Sequence, residues 1–211
     1  MASTAPPREW RKSSNGIDFI ISTEYNRLDF DFINTAFASD EMYWAKPLPM
    51  ETLKLMLSSS LTLGIYQITP PSEIPPPASI SEPSSPRTPS PTLDSSADPI
   101  GGARHGEIWQ QVGLARFITD YVSTCYLTDV YVAPTHRQHQ LGKWVIACCK
   151  EVIDEMPALR RAFLVASQGV GKEFYERTLG FWDVYEEREK LAVMTKKTFG
   201  VPPGGKKEAQ E

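Results

Sequence analysis

A strand end and a helix start meet in the stretch Asp129-Val130-Tyr131-Val132-Ala133-Pro134-Thr135-His136-Arg137-Gln138-His139-Gln140-Leu141-Gly142-Lys143-Trp144. The β-branched and aromatic residues before Pro134 predict a strand, and the proline ends it because it cannot extend the hydrogen-bonded ladder. A short basic loop follows, and Gly142 stands where an amphipathic helix begins. Loop amides and the first helical turn are unpaired donors, and the helix dipole adds positive charge there. The stretch therefore predicts a site for an anion such as a pyrophosphate, with basic side chains from Arg137, His139 and Lys143.

Hydrophobic periodicity predicts the elements on either side of this stretch. The predicted strands are Ile17 to Ser22, Leu61 to Ile68, Ile108 to Ile118, Cys125 to Val132, Ala162 to Ala166, Phe181 to Tyr185 and Glu189 to Thr195. The predicted helices are Leu28 to Ala38, Met50 to Ser59, Leu141 to Met156 and Val170 to Leu179. Gly180 suits a left-handed cap on the last helix. The order β-α-α-β-β-β-α-β-α-β-β, in which the last two strands are adjacent, predicts a mixed α/β sheet.

Composition divides the chain into one domain and three segments outside it. Ten of the 18 prolines fall between Thr69 and Ile100, together with many serines. Such a segment buries too little apolar surface to offset its ordering entropy. We therefore expect a disordered insertion at about 69–106 within a single domain at 17–199. A polar segment at 1–16 and a tail at 200–211 are also expected to be disordered.

Charge and cysteine content narrow the class of protein. The net charge is -4 and the pI is near 5.5, so no basic stripe for nucleic acid is expected. No apolar run approaches the roughly 20 residues of a membrane span, and the N-terminus lacks the apolar stretch of a secretory signal. Three cysteines, without zinc-ligand spacing, favour a reducing compartment and no metal site. We expect a cytoplasmic protein, with the nucleus left open, that is a monomer or a homodimer.

A second motif makes a resemblance specific. Residues 174–181 read Phe-Tyr-Glu-Arg-Thr-Leu-Gly-Phe, and with the loop around Arg137 they resemble the two signature motifs of the GNAT superfamily of acetyltransferases. The pieces Ser39-Asp40-Glu41-Met42-Tyr43-Trp44-Ala45 and Gly113-Leu114-Ala115-Arg116-Phe117-Ile118-Thr119-Asp120 also resemble a subgroup of that family. The resemblance covers about Ile17 to Thr195 apart from the insertion. It implies the GNAT-like acyl-CoA N-acyltransferase fold, a mixed, mostly antiparallel sheet flanked by helices.

The resemblance also implies a co-substrate and roles for particular residues. It implies that acetyl-CoA lies along the backbone of Val130, Tyr131 and Val132, and that Tyr175 acts as the general acid beside its sulfur. The implied pyrophosphate loop consists of Arg137, Gln138, His139, Gln140, Leu141, Gly142 and Lys143. Asp120 and Asp129 are hypotheses for drawing a proton from the acceptor amine through water, or for holding its charge.

The chain departs from the family motif at Gln140, where the family has glycine. A side chain there crowds the loop if the position needs a positive φ, and is tolerated if φ is negative.

Structural explanations compete with several of these roles. His136 and His139 are interpreted as surface loop residues rather than catalytic ones. Asp129 is more often a solvated or capping side chain of a strand, and Cys148 and Cys149 are interpreted as helix packing.

The predicted function is an N-acetyltransferase that acts on the amine of a small molecule or peptide. The alternatives are a weak or inactive acyl-CoA-binding regulatory module, and an interaction protein that acts through its proline-rich insertion.

Overall fold

The computed structural model describes residues 6–69 and 107–185 of the chain. Spatial clustering divides the chain into two compact units, Met1–Val165 and Ala166–Glu211. Each unit is described by itself below.

The first unit is built on a six-stranded sheet whose strands lie side by side in chain order. All neighbours are antiparallel except the last pair, β5 and β6, which is parallel. The strands are β1 (Glu9–Ser14), β2 (Ile17–Ser22), β3 (Leu61–Thr69), β4 (Ile108–Thr119), β5 (Thr124–Val132) and β6 (Arg161–Leu164). The mixed, mostly antiparallel α/β sheet predicted from the sequence is thereby confirmed.

The expectation that residues 1–16 are disordered is wrong for Glu9–Ser14. Residues Glu9–Ser14 form β1, which pairs with β2 along its whole length. The turn between them is Asn15-Gly16, and both residues have positive φ, at 54° and 76°. A two-residue hairpin turn of this kind matches the twist of the flanking strands, and Asn-Gly is its strongest local signal. The polar residues before this turn therefore run antiparallel to β2 and form an edge strand of the sheet.

Among the described residues, three α-helices lie against the sheet of the first unit, and their bounds are α1 (Phe30–Phe37), α2 (Met50–Ser58) and α3 (Leu141–Asp154). Asp29 caps α1 by accepting a hydrogen bond from the amide of Phe32. Buried residues of α1 and α2 pack with Leu114 of β4 in one hydrophobic cluster. The next residue, Ala115, is also fully buried and points to the opposite face of the sheet. Both faces of β4 are therefore covered, and α3 contacts β3, β4 and β5.

The pairing between β5 and β6 is short. It runs from Thr124 to Leu127 on β5 and from Arg161 to Leu164 on β6, which is the whole length of β6. No residue of β5 beyond Leu127 pairs with β6 in the part of the chain that the structure describes. The strand predicted over Ala162 to Ala166 is thus shorter and is partly exposed.

The second unit contains α4, which runs over Val170–Leu179 and ends at Gly180 with φ 70°. Both the helix and its left-handed cap agree with the sequence prediction. The strand predicted over Phe181 to Tyr185 is wrong, because these residues form no strand and end in a turn. The carboxylate of Asp183 accepts a hydrogen bond from the amide of Tyr185 at 3.0 Å, and such local bonding competes with strand pairing.

Several predictions fall on residues outside the described ranges. They concern most of the insertion at about 69–106, the strand Glu189 to Thr195 and the tail at 200–211. Among the described residues, no helix is long and apolar enough to cross a membrane.

Candidate active site

The candidate site lies at the end of β5, beyond its pairing with β6. The last residues of β5 are Val130, Tyr131 and Val132, and they follow the point at which pairing to β6 stops. Val130 and Tyr131 are half-buried, and Val132 is buried. Tyr131 and Val132 still pair with β4, while the other edge of this segment has no strand partner among the described residues.

A β-bulge shapes this part of β5. Leu114 of β4 pairs with Tyr131 and Arg116 pairs with Thr128, so two residues of β5, Asp129 and Val130, oppose the single residue between them. Asp129 has φ 50°, a left-handed conformation that is uncommon for a residue with a side chain. A bulge leaves its extra residue outside the regular ladder and bends the strand.

A glycine of β4 backs the bulge. A Cβ atom on Gly113 would lie 2.7 Å from the carbonyl oxygen of Tyr131. Only a residue without a side chain permits this close approach of the two backbones. The position of the Tyr131 peptide is therefore fixed from behind.

The loop between β5 and α3 is a turn of 3₁₀ helix over Pro134–His139. It ends at Gln140, which has φ 56° and ψ 31°. The glycine position of the family motif is thus a positive-φ position in this chain, and a glutamine occupies it. A positive φ is the condition under which a side chain at position 140 is unfavourable.

The first turn of α3 presents the amides of Leu141, Gly142 and Lys143, which have no intrahelical partner in an α-helix. The side chain of Leu141 is fully buried, so only its backbone can face a ligand. A Cβ atom on Gly142 would meet nothing within 4 Å, and Lys143 is exposed. The space beside the Cα atom of Gly142 is therefore open.

Arg137 connects two parts of the site. Its Nε atom donates to the carbonyl oxygen of Val132 at 3.2 Å, and its Nη2 atom forms an ion pair with Glu41. Both charged side chains are about half exposed. Arg137 therefore ties the loop to the segment between α1 and α2. The side-chain nitrogen of Gln138 donates within the loop, to the carbonyl oxygen of Thr135.

The interpretation of His139 as a surface residue is wrong. Only 5% of His139 is exposed, and its ring packs against Phe19 of β2 with ring centroids 5.1 Å apart. His136 is half-buried, and its Nε2 atom lies 2.9 Å from the side-chain oxygen of Gln67. Burial, together with the neighbouring His139, lowers the pKa of His136. Both rings turn toward the sheet because β1 and β2 lie beneath the loop.

Lys12 of β1 is a further residue at this loop. Its Nζ atom donates to the carbonyl oxygen of His139 at 3.1 Å and lies 5.8 Å from the centre of the Trp144 ring. The sequence prediction did not include Lys12, because the polar composition of residues 1–16 places them outside the fold. The Asn15-Gly16 pair is the local signal for the hairpin that brings Lys12 here.

Asp120 organises the turn between β4 and β5. Its Oδ1 atom accepts hydrogen bonds from the amides of Val122, Ser123 and Thr124 at 2.8 to 3.0 Å, and its Oδ2 atom accepts from the hydroxyl of Ser123 at 2.6 Å. The hydroxyl of Ser123, followed by these backbone amides, holds the pKa of Asp120 well below its usual value.

Asp129 lies in the middle of β5 and is buried among donors. Its Oδ2 atom accepts from Arg116, with Nε and Nη2 each at 2.7 Å. Its Oδ1 atom accepts from the Nε1 atom of Trp44 at 3.1 Å and from the hydroxyl of Thr128 at 3.2 Å. The structure thus does not bring Asp120 and Asp129 to one place, since the register separates them by several residues along the hairpin.

Tyr175 lies on α4, in the second unit. It is half-buried, and its ring meets that of Phe174 edge-on at 5.2 Å.

The cysteines behave as packing residues, as predicted. Cys125, Cys148 and Cys149 are buried free thiols. Burial raises the pKa of Cys125 to about 11 and that of Cys148 to about 12. A thiol with a raised pKa is a poor nucleophile. Within residues 6–69 and 107–185, no group of three or more histidine, cysteine or acidic side chains could hold a metal ion.

Comparison with known proteins agrees with this architecture. Residues 73–181 match the profile of the acetyltransferase (GNAT) family. A chain of Gibberella zeae, named as a candidate acetyltransferase, is 31% identical over 186 residues, which are 88% of this chain and 89% of that one. A crystal structure of a candidate GNAT acetyltransferase from Xanthomonas campestris is 22% identical, covers 83% of this chain and 93% of its own, and has a TM-score of 0.50. The chain therefore belongs to the GNAT acetyltransferase family.

Proposed function

We propose that this protein is an N-acetyltransferase that uses acetyl-CoA to acetylate the amine of a small molecule or a peptide. The family membership supports an acyltransferase. The acidic net charge of -4 favours a cationic acceptor weakly, through a long-range field. The three free cysteines favour a reducing compartment, and we place the protein in the cytoplasm.

One observation carries the proposal, namely that a strand segment paired with β4 on one edge and not with β6 on the other leads through a short loop into the start of a helix. Beyond Leu127, β5 is free of β6, and it continues through Pro134–His139 into α3. An extended thioester arm fits the free side of a strand, and a pyrophosphate fits the amides of a first helical turn. The open space beside Gly142 is compatible with this ligand.

Acetyl-CoA, when bound, supplies an acetyl group that is activated as a thioester. In the proposed mechanism, the backbone of Val130, Tyr131 and Val132 orients the thioester arm by strand-like hydrogen bonds. The loop residues Arg137 to Lys143 hold the pyrophosphate, chiefly through backbone amides and the charges of Arg137 and Lys143. Tyr175 donates a proton to the leaving sulfur, because a phenol with its ordinary pKa near about 10 is protonated at neutral pH.

The amine must lose a proton before it attacks. Asp120 and Asp129 are the sequence-based hypotheses for this step, but each carboxylate already accepts several hydrogen bonds. An ionised carboxylate has about four acceptor sites, and Asp129 receives four contacts. We therefore propose that water takes the amine proton and that neither aspartate acts as the base.

A second candidate function rests on Gln140. Its left-handed φ of 56° places a side chain where glycine is favoured. A protein that binds acyl-CoA weakly and regulates a partner, without turnover, would tolerate such strain in its phosphate loop.

The experiment that separates the two candidates measures turnover and binding on the same preparations. The wild-type protein is tested with acetyl-CoA against a panel of polyamines, arylalkylamines, amino acids, aminoglycosides and peptides, and acetyl-CoA affinity is measured by calorimetry. Tyr175→Phe should lower kcat by roughly 10²–10⁴-fold and leave the acetyl-CoA Kd nearly constant. Binding without turnover on the whole panel would favour the regulatory module. A Tyr175→Phe protein as fast as wild type would contradict the general-acid role.

A further inference from the structure

Trp44 combines two properties that rarely occur together. Its indole is anchored, because the Nε1 atom donates to Asp129 at 3.1 Å. Its ring is nonetheless 51% exposed, and the neighbouring Tyr43, at 78% exposure, meets it edge-on at 5.1 Å. We name Tyr43 and Trp44 the aromatic wall. An ordered, exposed aromatic pair in a soluble fold marks a binding surface.

The anchor of the wall is itself held from the sheet. The Arg116 guanidinium contacts one oxygen of Asp129 through two nitrogens at 2.7 Å, and both side chains are less than 10% exposed. Asp129 also forms the positive-φ residue of the β5 bulge. One buried ion pair therefore holds both the bulged segment of β5 and the carboxylate that anchors Trp44.

The segment that carries the wall has a second attachment. Glu41 forms an ion pair with Arg137 of the loop before α3, and Met42, between the two anchors, is buried in the core. The wall is thus joined to the loop by Glu41 and to β5 by Trp44. Such double attachment keeps the ring faces in one orientation before any ligand binds, which lowers the entropic loss of binding.

The chemistry of the wall suits a particular kind of amine. Ring faces attract an ammonium group, and their apolar area packs against a flat or aliphatic body. The carboxylates of Asp40 and Glu41 precede the wall in the same segment. Half-buried Phe32 and Tyr131 supply further aromatic surface, with ring centroids 6.2 Å apart.

We propose that Arg116 and Asp129 are positioning residues that orient Trp44, and that the aromatic wall selects acceptor amines borne on an aromatic or apolar body. This inference rests on the proposed N-acetyltransferase function. It assigns no proton transfer to Asp129.

The first test compares two acceptors, phenethylamine and ethanolamine. The wild-type kcat/KM should be roughly tenfold or more higher for phenethylamine than for ethanolamine. Trp44→Ala should raise the KM for phenethylamine by roughly tenfold while the acetyl-CoA Kd stays constant. Trp44→Phe keeps a ring and deletes the anchoring N–H, so its KM should rise less. Trp10→Phe is the matched control, because it also removes an indole donor from a carboxylate, that of Glu151. An unchanged KM in Trp44→Ala would overturn the wall.

The second test reads the positioning role without turnover. Hydrogen exchange of residues 40–46 should accelerate in Arg116→Met, should be largely restored to the wild-type rate in Arg116→Lys, and should stay unchanged in Trp10→Phe. Should Arg116→Met fail to fold, Trp44→Phe gives the same readout. Wild-type exchange rates in both Arg116→Met and Trp44→Phe would overturn the positioning role.

Two further outcomes separate the possible failures. If Asp129→Asn abolishes the acid limb of the pH profile of kcat/KM and Trp44→Phe leaves that limb unchanged, Asp129 acts as a base. That outcome would contradict the positioning role. If no amine is acetylated although exchange is coupled to Arg116, the proposed function and the wall's selectivity fall together, and the positioning network stands.

Discussion

Asp120 lies at the tip of the β4–β5 hairpin, and Asp129 lies at its bulge. Each aspartate either has a positive φ itself or precedes a residue that has one. At the tip this residue is Tyr121, with φ 63°, and at the bulge it is Asp129 itself, with φ 50°. Asp120 is exposed, and its donors all lie within four residues of it. Asp129 is buried, and its main donors come from 13 and 85 residues away. One carboxylate organises a turn, and the other joins three separate parts of the first unit.

The difference teaches what an unusual backbone conformation requires. An exposed carboxylate stabilises a strained turn through its own neighbours, and water solvates what remains. A buried carboxylate needs a charged partner, since an unpaired buried charge is strongly unfavourable. The two sites should therefore respond very differently to mutation.

The largest effect is expected for Asp129→Ala. The change leaves Arg116 buried without its carboxylate and places alanine at a positive φ. We expect a loss of about 3–5 kcal/mol in the free energy of unfolding. Urea denaturation at pH 7 measures it, with Asp120→Ala as the matched control. Equal losses in the two variants would contradict the contrast between the two regions.

A double variant sharpens the same contrast. Arg116→Met combined with Asp129→Asn removes both charges, and asparagine tolerates a positive φ better than most residues. The combined loss should be smaller than the sum of the two single losses by about 1–3 kcal/mol. Additive losses in a double-mutant cycle would show that the ion pair contributes nothing of its own.

Gln140 is a positive-φ residue for which no side-chain hydrogen bond caps the following helix. Gln140→Gly relieves the left-handed strain and adds some backbone entropy to the unfolded state. The net gain should be about 0.5 kcal/mol, measured as a rise in Tm. A lower Tm would mean that the glutamine side chain contributes to stability in a way the backbone argument omits.

The smallest effect is expected for Asp120→Asn, and it depends on pH. The folded state lowers the pKa of Asp120, so its stabilising contribution is present above the unfolded pKa of about 3.9 and is lost as pH falls. Wild type should be the more stable protein at pH 7, and the two unfolding free energies should converge in acid. A difference that stays constant from pH 7 to pH 2 would remove Asp120 as its cause.

Local patterns predicted the helices well. The range Val170–Leu179 and its cap at Gly180 follow from periodicity and one glycine. The start of α3 at Leu141 likewise follows from the motif. These signals are local in the chain, so a single sequence contains them.

Two of the wrong predictions have non-local causes. The bulge at Asp129 depends on how Leu114 and Arg116 align across two strands, and nothing near Asp129 in the sequence reports that register. The burial of His139 depends on Phe19, far away in the chain. The hairpin at Asn15 was readable locally, and the polar composition of residues 1–16 outweighed it.

The edge strand β1 has a consequence for how copies of this protein meet one another. It occupies the outer hydrogen bonds of β2, whose residues Phe19, Ile20 and Ile21 are buried. Its own outer side carries Glu9 and Arg11, and charged edges resist pairing with another sheet. A chain that began at Ile17 would offer an apolar strand with unpaired amides to any second copy. By pairing with the outer edge of β2, β1 thus disfavours self-association through that strand.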